Sequence, residues 1–224
     1  ARPVLCNLYA GALMQTGEMQ GVEAWLRAAE RWLPPADAPM QADTAASTMV
    51  AVNQEEWLRL PAAVAMHRAG HALMLGDVAK ATGHSRRALA LATADDHLRR
   101  GGAAVLQGLA LWTAGDLEAA RQHYDRGMTD LRRAGFISDV LGSALALADI
   151  HRAQGRLREA MRVYQLGLQM AAEHGTPSLR GTADMLVGLS EGRREQNDLP
   201  EAAQLLARAE EQGEHTGLPQ NRYR

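Results

Sequence analysis

Gly17-Glu18-Met19, Gly76-Asp77-Val78, Gly115-Asp116-Leu117, Gly155-Arg156-Leu157 and Asn197-Asp198-Leu199 repeat one short pattern along a chain of 224 residues. The intervals between turns are 59 (17 to 76), 39 (76 to 115), 40 (115 to 155) and 42 (155 to 197). Three of the four approach forty residues, the period of a repeat array rather than of a single globular core.

Five positions after each turn stands Val22, Ala81, Ala120, Ala160 or Ala202, and twelve positions after it Ala29, Ala88, Gly127, Gly167 or Ala209. Five and twelve are seven apart, two helical turns on one face. Nine positions after the turn come Leu26, Ser85, Tyr124, Tyr164 and Leu206, mostly large groups between two small ones, the pattern of closely crossing helices. Ser85 is the weak member of that column. Seven positions before each turn the residue is again small: Ala10, Ala69, Gly108, Ala148, Ser190. Four positions before stand Leu13, Ala72, Leu111, His151 and Arg193, apolar in the first three. Helix, small turn and helix, with small residues at both crossings, resembles the tetratricopeptide repeat. The expected fold is all-α: a right-handed superhelix of tetratricopeptide-like hairpins, about five pairs plus one extra helix, forming a single solenoid over 1–224.

Helices are expected near 3–15, 18–33, 43–55, 61–75, 78–93, 97–114, 117–134, 138–154, 157–174, 178–195 and 199–214. The long first interval holds the extra helix. Pro34, Pro35 and Pro39 break the chain, Asp43 or Thr44 can cap a new start, and Pro61 suits a first helical turn. Residues 34–60 are therefore expected to be an irregular insertion with a short helix.

Two longer stretches narrow the resemblance. Arg2-Pro3, Tyr9-Ala10, Thr16-Gly17, Ala24-Trp25-Leu26 and Ala28-Ala29-Glu30 look like the opening of the helical-repeat region of LuxR-type regulators related to the maltose activator MalT. Gly175-Thr176-Pro177-Ser178-Leu179-Arg180-Gly181, Gly188-Leu189-Ser190 and Asn197 to Leu206 resemble later repeats of the same group. Members of that family carry a nucleotide-binding module before the repeats and a DNA-binding helix-turn-helix after them. The resemblance covers only the middle part. It implies a sensor and interaction region concerned with inducer recognition and self-association, with DNA contacted only through a domain of the parent outside this chain. The two ends, Ala1 and Gly217 to Arg224, lack polar capping helices, which suggests a longer parent.

Composition agrees with a solenoid. Hydrophobic residues make up 46% but aromatics only 4%, so alanine and leucine do the packing. The formal net charge is -2, and arginine pairs at 86–87, 99–100, 132–133 and 193–194 are scattered over different units. Such spacing gives solvated faces rather than a phosphate track. A single cysteine, Cys6, excludes an intramolecular disulfide and reads as a packed thiol. Apolar runs such as Val140 to Ile150 fall short of the roughly twenty residues of a membrane span. The expected location is cytoplasmic.

Catalytic patterns are weak. No GxxxxGK[ST] loop occurs, and the sole lysine, Lys80, follows no glycine loop, so no nucleotide or other cofactor is expected. His67 and His71, four apart, offer two imidazoles to a metal, but no HExxH pattern or cysteine pair completes a set. Ser143, Ser178 and Ser190 lie in no GxSxG elbow. The pairs Glu55-Glu56, Asp95-Asp96 and Glu210-Glu211 diverge by about 100° on a helix. A catalytic domain using groove carboxylates with His67 and His71 stays open as a rival class.

A stack of helix pairs offers an inner face lined by the first helix of each pair. Three, six and ten residues before the turns stand Met14, Gly11 and Asn7; Leu73, Gly70 and Met66; Trp112, Leu109 and Val105; Arg152, Asp149 and Leu145; Arg194, Glu191 and Val187. Early units are apolar or aromatic and late ones charged. Asn7, Met14, Met66, Val105, Trp112, Asp149, Arg152, Glu191 and Arg194 are thus the candidate ligand or partner contacts, with Trp112 a stacking platform. The competing reading is that these groups solvate the face and pair with one another. The expected role is a non-enzymatic sensor and interaction domain that binds a small-molecule effector or a peptide segment; the alternative is a general tetratricopeptide scaffold.

Overall fold

A computed structural model describes residues 2–33, 53–173, 179 and 181–212. Ten helices run along them: α1 (Pro3–Thr16), α2 (Val22–Glu30), α3 (Gln54–Met74), α4 (Val78–Leu91), α5 (His97–Thr113), α6 (Leu117–Arg133), α7 (Ile137–Ala153), α8 (Leu157–Glu173), α9 (Thr182–Glu195) and α10 (Leu199–Gln212). Among the described residues there is no strand. Two compact units are formed, Ala1–Gly115 and Asp116–Arg224. In the first, α1 packs on α2 and α3, and α3 on α2, α4 and α5. In the second, α7 packs on α6, α8 and α9, and α9 on α8 and α10.

The recurrent turn works through its backbone. Gly76 adopts φ +75°, a left-handed conformation that costs glycine little and ends α3. Its N–H donates to Leu73 at 2.9 Å, and the next N–H, of Asp77, donates to Ala72 at 2.8 Å. Asp77 then caps α4 by accepting from the Lys80 N–H at 3.0 Å, as Asp116 caps α6 from Ala119 at 3.1 Å. In the last repeat Asn197 takes the same left-handed role at φ 60°, which asparagine tolerates better than most side chains.

One boundary departs from expectation. No helix begins at Pro61; α3 starts at Gln54 and carries Pro61 in its interior. Asn53 sets that start by accepting from the Glu56 N–H at 3.1 Å, which overrides the preference of proline for a first turn. Residues 54–60 are therefore helical rather than irregular. The greater part of the helix expected at 43–55, and the rest of the insertion, lie outside the described residues.

The small-residue columns are buried at helix crossings. Ala81, Ala120 and Ala160, five positions past their turns, are 0% exposed. Gly188 of α9 lies against the ring of Tyr164 on α8, and a methyl group on Gly192 would meet Met161 at 2.7 Å. Tyr164, Leu141, Met185 and Leu186 form the centre of the second unit's core. Cys6 is a buried free thiol, packed with Trp57, Leu60 and Val64.

Two glycine substitutions separate packing from helix propensity. Gly83 lies within α4 with nothing within 4 Å of an added methyl, so Gly83→Ala should stabilise by about 0.5–1 kcal/mol. Gly188→Ala drives a methyl into the buried Tyr164 ring and should destabilise by about 1–3 kcal/mol. Urea unfolding followed by circular dichroism measures both, and the opposite signs are the expected result.

Candidate functional site

The first helix of each pair sets the candidate contacts at intervals of three to four residues, which places them along one stripe. In the first unit the polar member is not free. Asn7 is buried, and its Oδ1 accepts from His67 Nδ1 of α3 at 2.9 Å. A methyl on Gly11 would sit 2.8 Å from His67 Nε2, so the imidazole fills the space that this glycine leaves. Burial, with Arg99 adding to it, pushes the His67 pKa down to about 4; the ring is neutral at neutral pH. Met66 packs its sulfur toward Gly102. Met14, Val105 and Trp112 are half-buried, which leaves part of each surface accessible.

In the second unit three of the four charged candidates converge. Arg152 Nη1 lies 2.5 Å from Glu191 Oε2 on α9 and 3.6 Å from Asp149 Oδ1 on its own helix. Tyr164 donates to Asp149 Oδ1 across a long 3.4 Å. The result is a three-charge ladder, Asp149, Arg152 and Glu191, tying α7 to α9. Arg194 stands apart, exposed and paired with its neighbour Glu195 at 3.2 Å. The ladder presents a carboxylate on either side of a guanidinium, a pattern that can open to receive an incoming charged group in exchange for one of its own pairs.

Other polar contacts carry weight that the periodicity did not single out. Arg68 of α3 holds Glu30 of α2 in a two-pronged pair, 2.8 Å from Nε and 2.6 Å from Nη2, and its third nitrogen contacts Glu23. Both glutamates raise the Arg68 pKa, Glu30 most. Burial would lift the Glu23 carboxyl, but the hydrogen bonds from Arg68 and Arg27 outweigh it and hold the group below its ordinary value. The weak member of the large-residue column is explained as well. Ser85 is buried at 0% exposure, and its hydroxyl meets Oε1 of the equally buried Gln107 on α5. A serine at a large-residue position, matched by a glutamine on the following helix, is the sequence signal for this polar junction.

The two histidines do not form a metal pair. His67 is committed to Asn7, while His71 lies 3.8 Å from Glu23. Among the described residues no group of three or more His, Cys, Asp or Glu side chains converges. No described helix is long and apolar enough to cross a membrane.

The His67 environment predicts an acid-sensitive first unit. The unfolded chain binds the proton with an ordinary pKa near 6.5 and the folded chain only near 4. Stability is therefore complete above about pH 6.5 and falls as the pH drops toward 4, by on the order of 3 kcal/mol. Unfolding free energies measured across that window should fall for the wild type, and the drop should flatten in His67→Gln.

Comparison with solved structures gives the same architecture at low sequence identity. TPR-like repeats attributed to a kinesin light chain of Podosopora anserina are similar with a TM-score of 0.64 and 15% identity, covering 94% of this chain and 96% of that one. RapI in its apo form gives a TM-score of 0.69 and 9% identity over 94% and 69%. BtubC from P. vanneervenii gives 0.68 and 13% over 92% and 78%. Together with the ten helices they establish an all-helical, tetratricopeptide-like repeat fold. No curated protein sequence matches. Residues 62–222 match the model of the MalT-like TPR region, and since that span is most of the chain, the protein belongs to the MalT-like TPR family.

Proposed function

We propose that this chain is the sensor and interaction region of a LuxR-type, MalT-like transcriptional regulator, without catalytic activity of its own. The observation that carries the reading is the family match over residues 62–222. The first-helix faces bind an effector or a partner segment and bias the parent between resting and active forms. Trp112, half-buried, supplies an aromatic platform on the first unit. On the second, the Asp149, Arg152 and Glu191 ladder supplies charge that a polar ligand competes for. DNA is bound by another part of the parent, as the resemblance implies, the arginine pairs of this chain being spread over different repeats of the sequence.

A tetratricopeptide-like scaffold that binds a peptide is the second reading, favoured by the apolar Met14, Met66 and Val105 on the same faces. Thermal-shift screening against small polar effectors, beside titration with a peptide array, separates the two. Under either, Trp112→Ala or Arg152→Ala should weaken binding about tenfold or more, on the order of 1.4 kcal/mol, with the circular dichroism melt of the free protein little changed. Binding unaltered by both substitutions would remove these faces from the mechanism.

A further inference from the structure

Each unit holds a crevice on the side of its second helices, and the two crevices are built from the same repeat positions. In the first unit α2 and α4 flank α3; in the second, α6 and α8 flank α7. Thirteen residues past their turn glycines stand Glu30 (17 to 30) and Met128 (115 to 128). Eight residues before the next turn come Arg68 (76 to 68) and Leu147 (155 to 147). Eight residues after it come His84 (76 to 84) and Val163 (155 to 163), and eleven after it Arg87 (76 to 87) and Leu166 (155 to 166). All four positions are ionisable in the first unit and apolar in the second.

The exchange changes what fills the space. In the first crevice Arg68 reaches across to Glu30 at 2.6 Å, and the free volume is about 270 Å³. In the second no such pair exists at the equivalent positions, and a crevice of about 380 Å³ remains, within the range of small-molecule sites. Its floor is the buried Val140, Leu141 and Leu147. Leu166, at the lip, is 53% exposed. Against Met128, Leu147, Val163 and Leu166 a charged ligand body would find no counter-ion and would lose its hydration uncompensated. Its hydrogen-bonding side chains, Asp125, Thr129, Arg132, Gln169 and Glu173, are exposed at the rim, where Arg121 already donates to Asp125 at 2.8 Å and Gln169 to Glu173 at 3.0 Å.

We propose that the crevice between α6 and α8 is a binding site for an uncharged apolar small molecule, its body against Met128, Leu147, Val163 and Leu166 and any single polar end at the rim. This site lies on other helix surfaces than Trp112 and the Arg152 ladder, and it stands or falls independently of them.

The probe is N-phenyl-1-naphthylamine, an uncharged dye that brightens in apolar surroundings, titrated into the whole chain. Saturable brightening, displaced by decan-1-ol, is expected. Leu166→Arg at the exposed lip should weaken it about tenfold, and Met128→Glu with Leu147→Arg, which transplants the ion pair of the first unit, should abolish it. Trp112→Ala should leave it unchanged. Circular dichroism melts establish that each variant is folded, with Leu166→Arg carrying the test if the double variant is not. Absence of saturable brightening, or brightening intact in folded Leu166→Arg, overturns the site. Displacement by decanoate or decylamine as effective as by decan-1-ol overturns the uncharged class.

Discussion

Close approach of helix backbones is the constraint on which the structure depends. With 4% aromatic residues in the chain, the core cannot be filled by large rings, so helices must come near enough for alanine and glycine to touch. That proximity makes a few large groups decisive. Tyr164 is fully buried because Gly188 leaves room for its ring, and His67 enters the stack because Gly11 has no side chain. Dispersion at such crossings is small per atom pair and large in sum, and a single added methyl is felt because packed interiors leave little slack.

The turns serve the same constraint from outside. A left-handed glycine followed by a capping aspartate reverses the chain in few residues at Gly76-Asp77, which fixes where α4 starts. Within each unit short reversals keep partner helices adjacent, as with α3 and α4 or α7 and α8, so the small columns of one meet the large residues of the other. Polar groups trapped between them are then obliged to find partners, as Ser85 does in Gln107 and Asn7 in His67.

Most of the helical order was legible because the periodic positions are those that packing selects. The starts at Val78, His97 and Leu117 follow from the Asp77, Asp96 and Asp116 caps. Pro61 misled because α3 runs through it from the Asn53 cap eight residues upstream (53 to 61), although an interior proline donates no backbone hydrogen bond. The candidate face was readable as a stripe but not in its pairing. Sequence spacing places Asp149 and Arg152 together on α7, whereas the closest charge contact, Arg152 with Glu191, joins residues 39 apart (152 to 191) and depends on how α7 meets α9. Arg68 was missed for the same reason: its glutamates lie 38 and 45 residues away.

The junctions between successive repeats are chemically unlike one another. Where α3 meets the first hairpin the contacts are an imidazole on an amide and a guanidinium between two glutamates. At α5 a hydroxyl meets an amide, and at α9 two glycines receive an aromatic ring and a thioether. A repeat is thus keyed to its neighbour as well as to its class. Excising one forty-residue module, or shuffling two, would set an arginine or a glutamine against a surface built for methyl groups, so the array has a fixed reading order even though its modules share one shape.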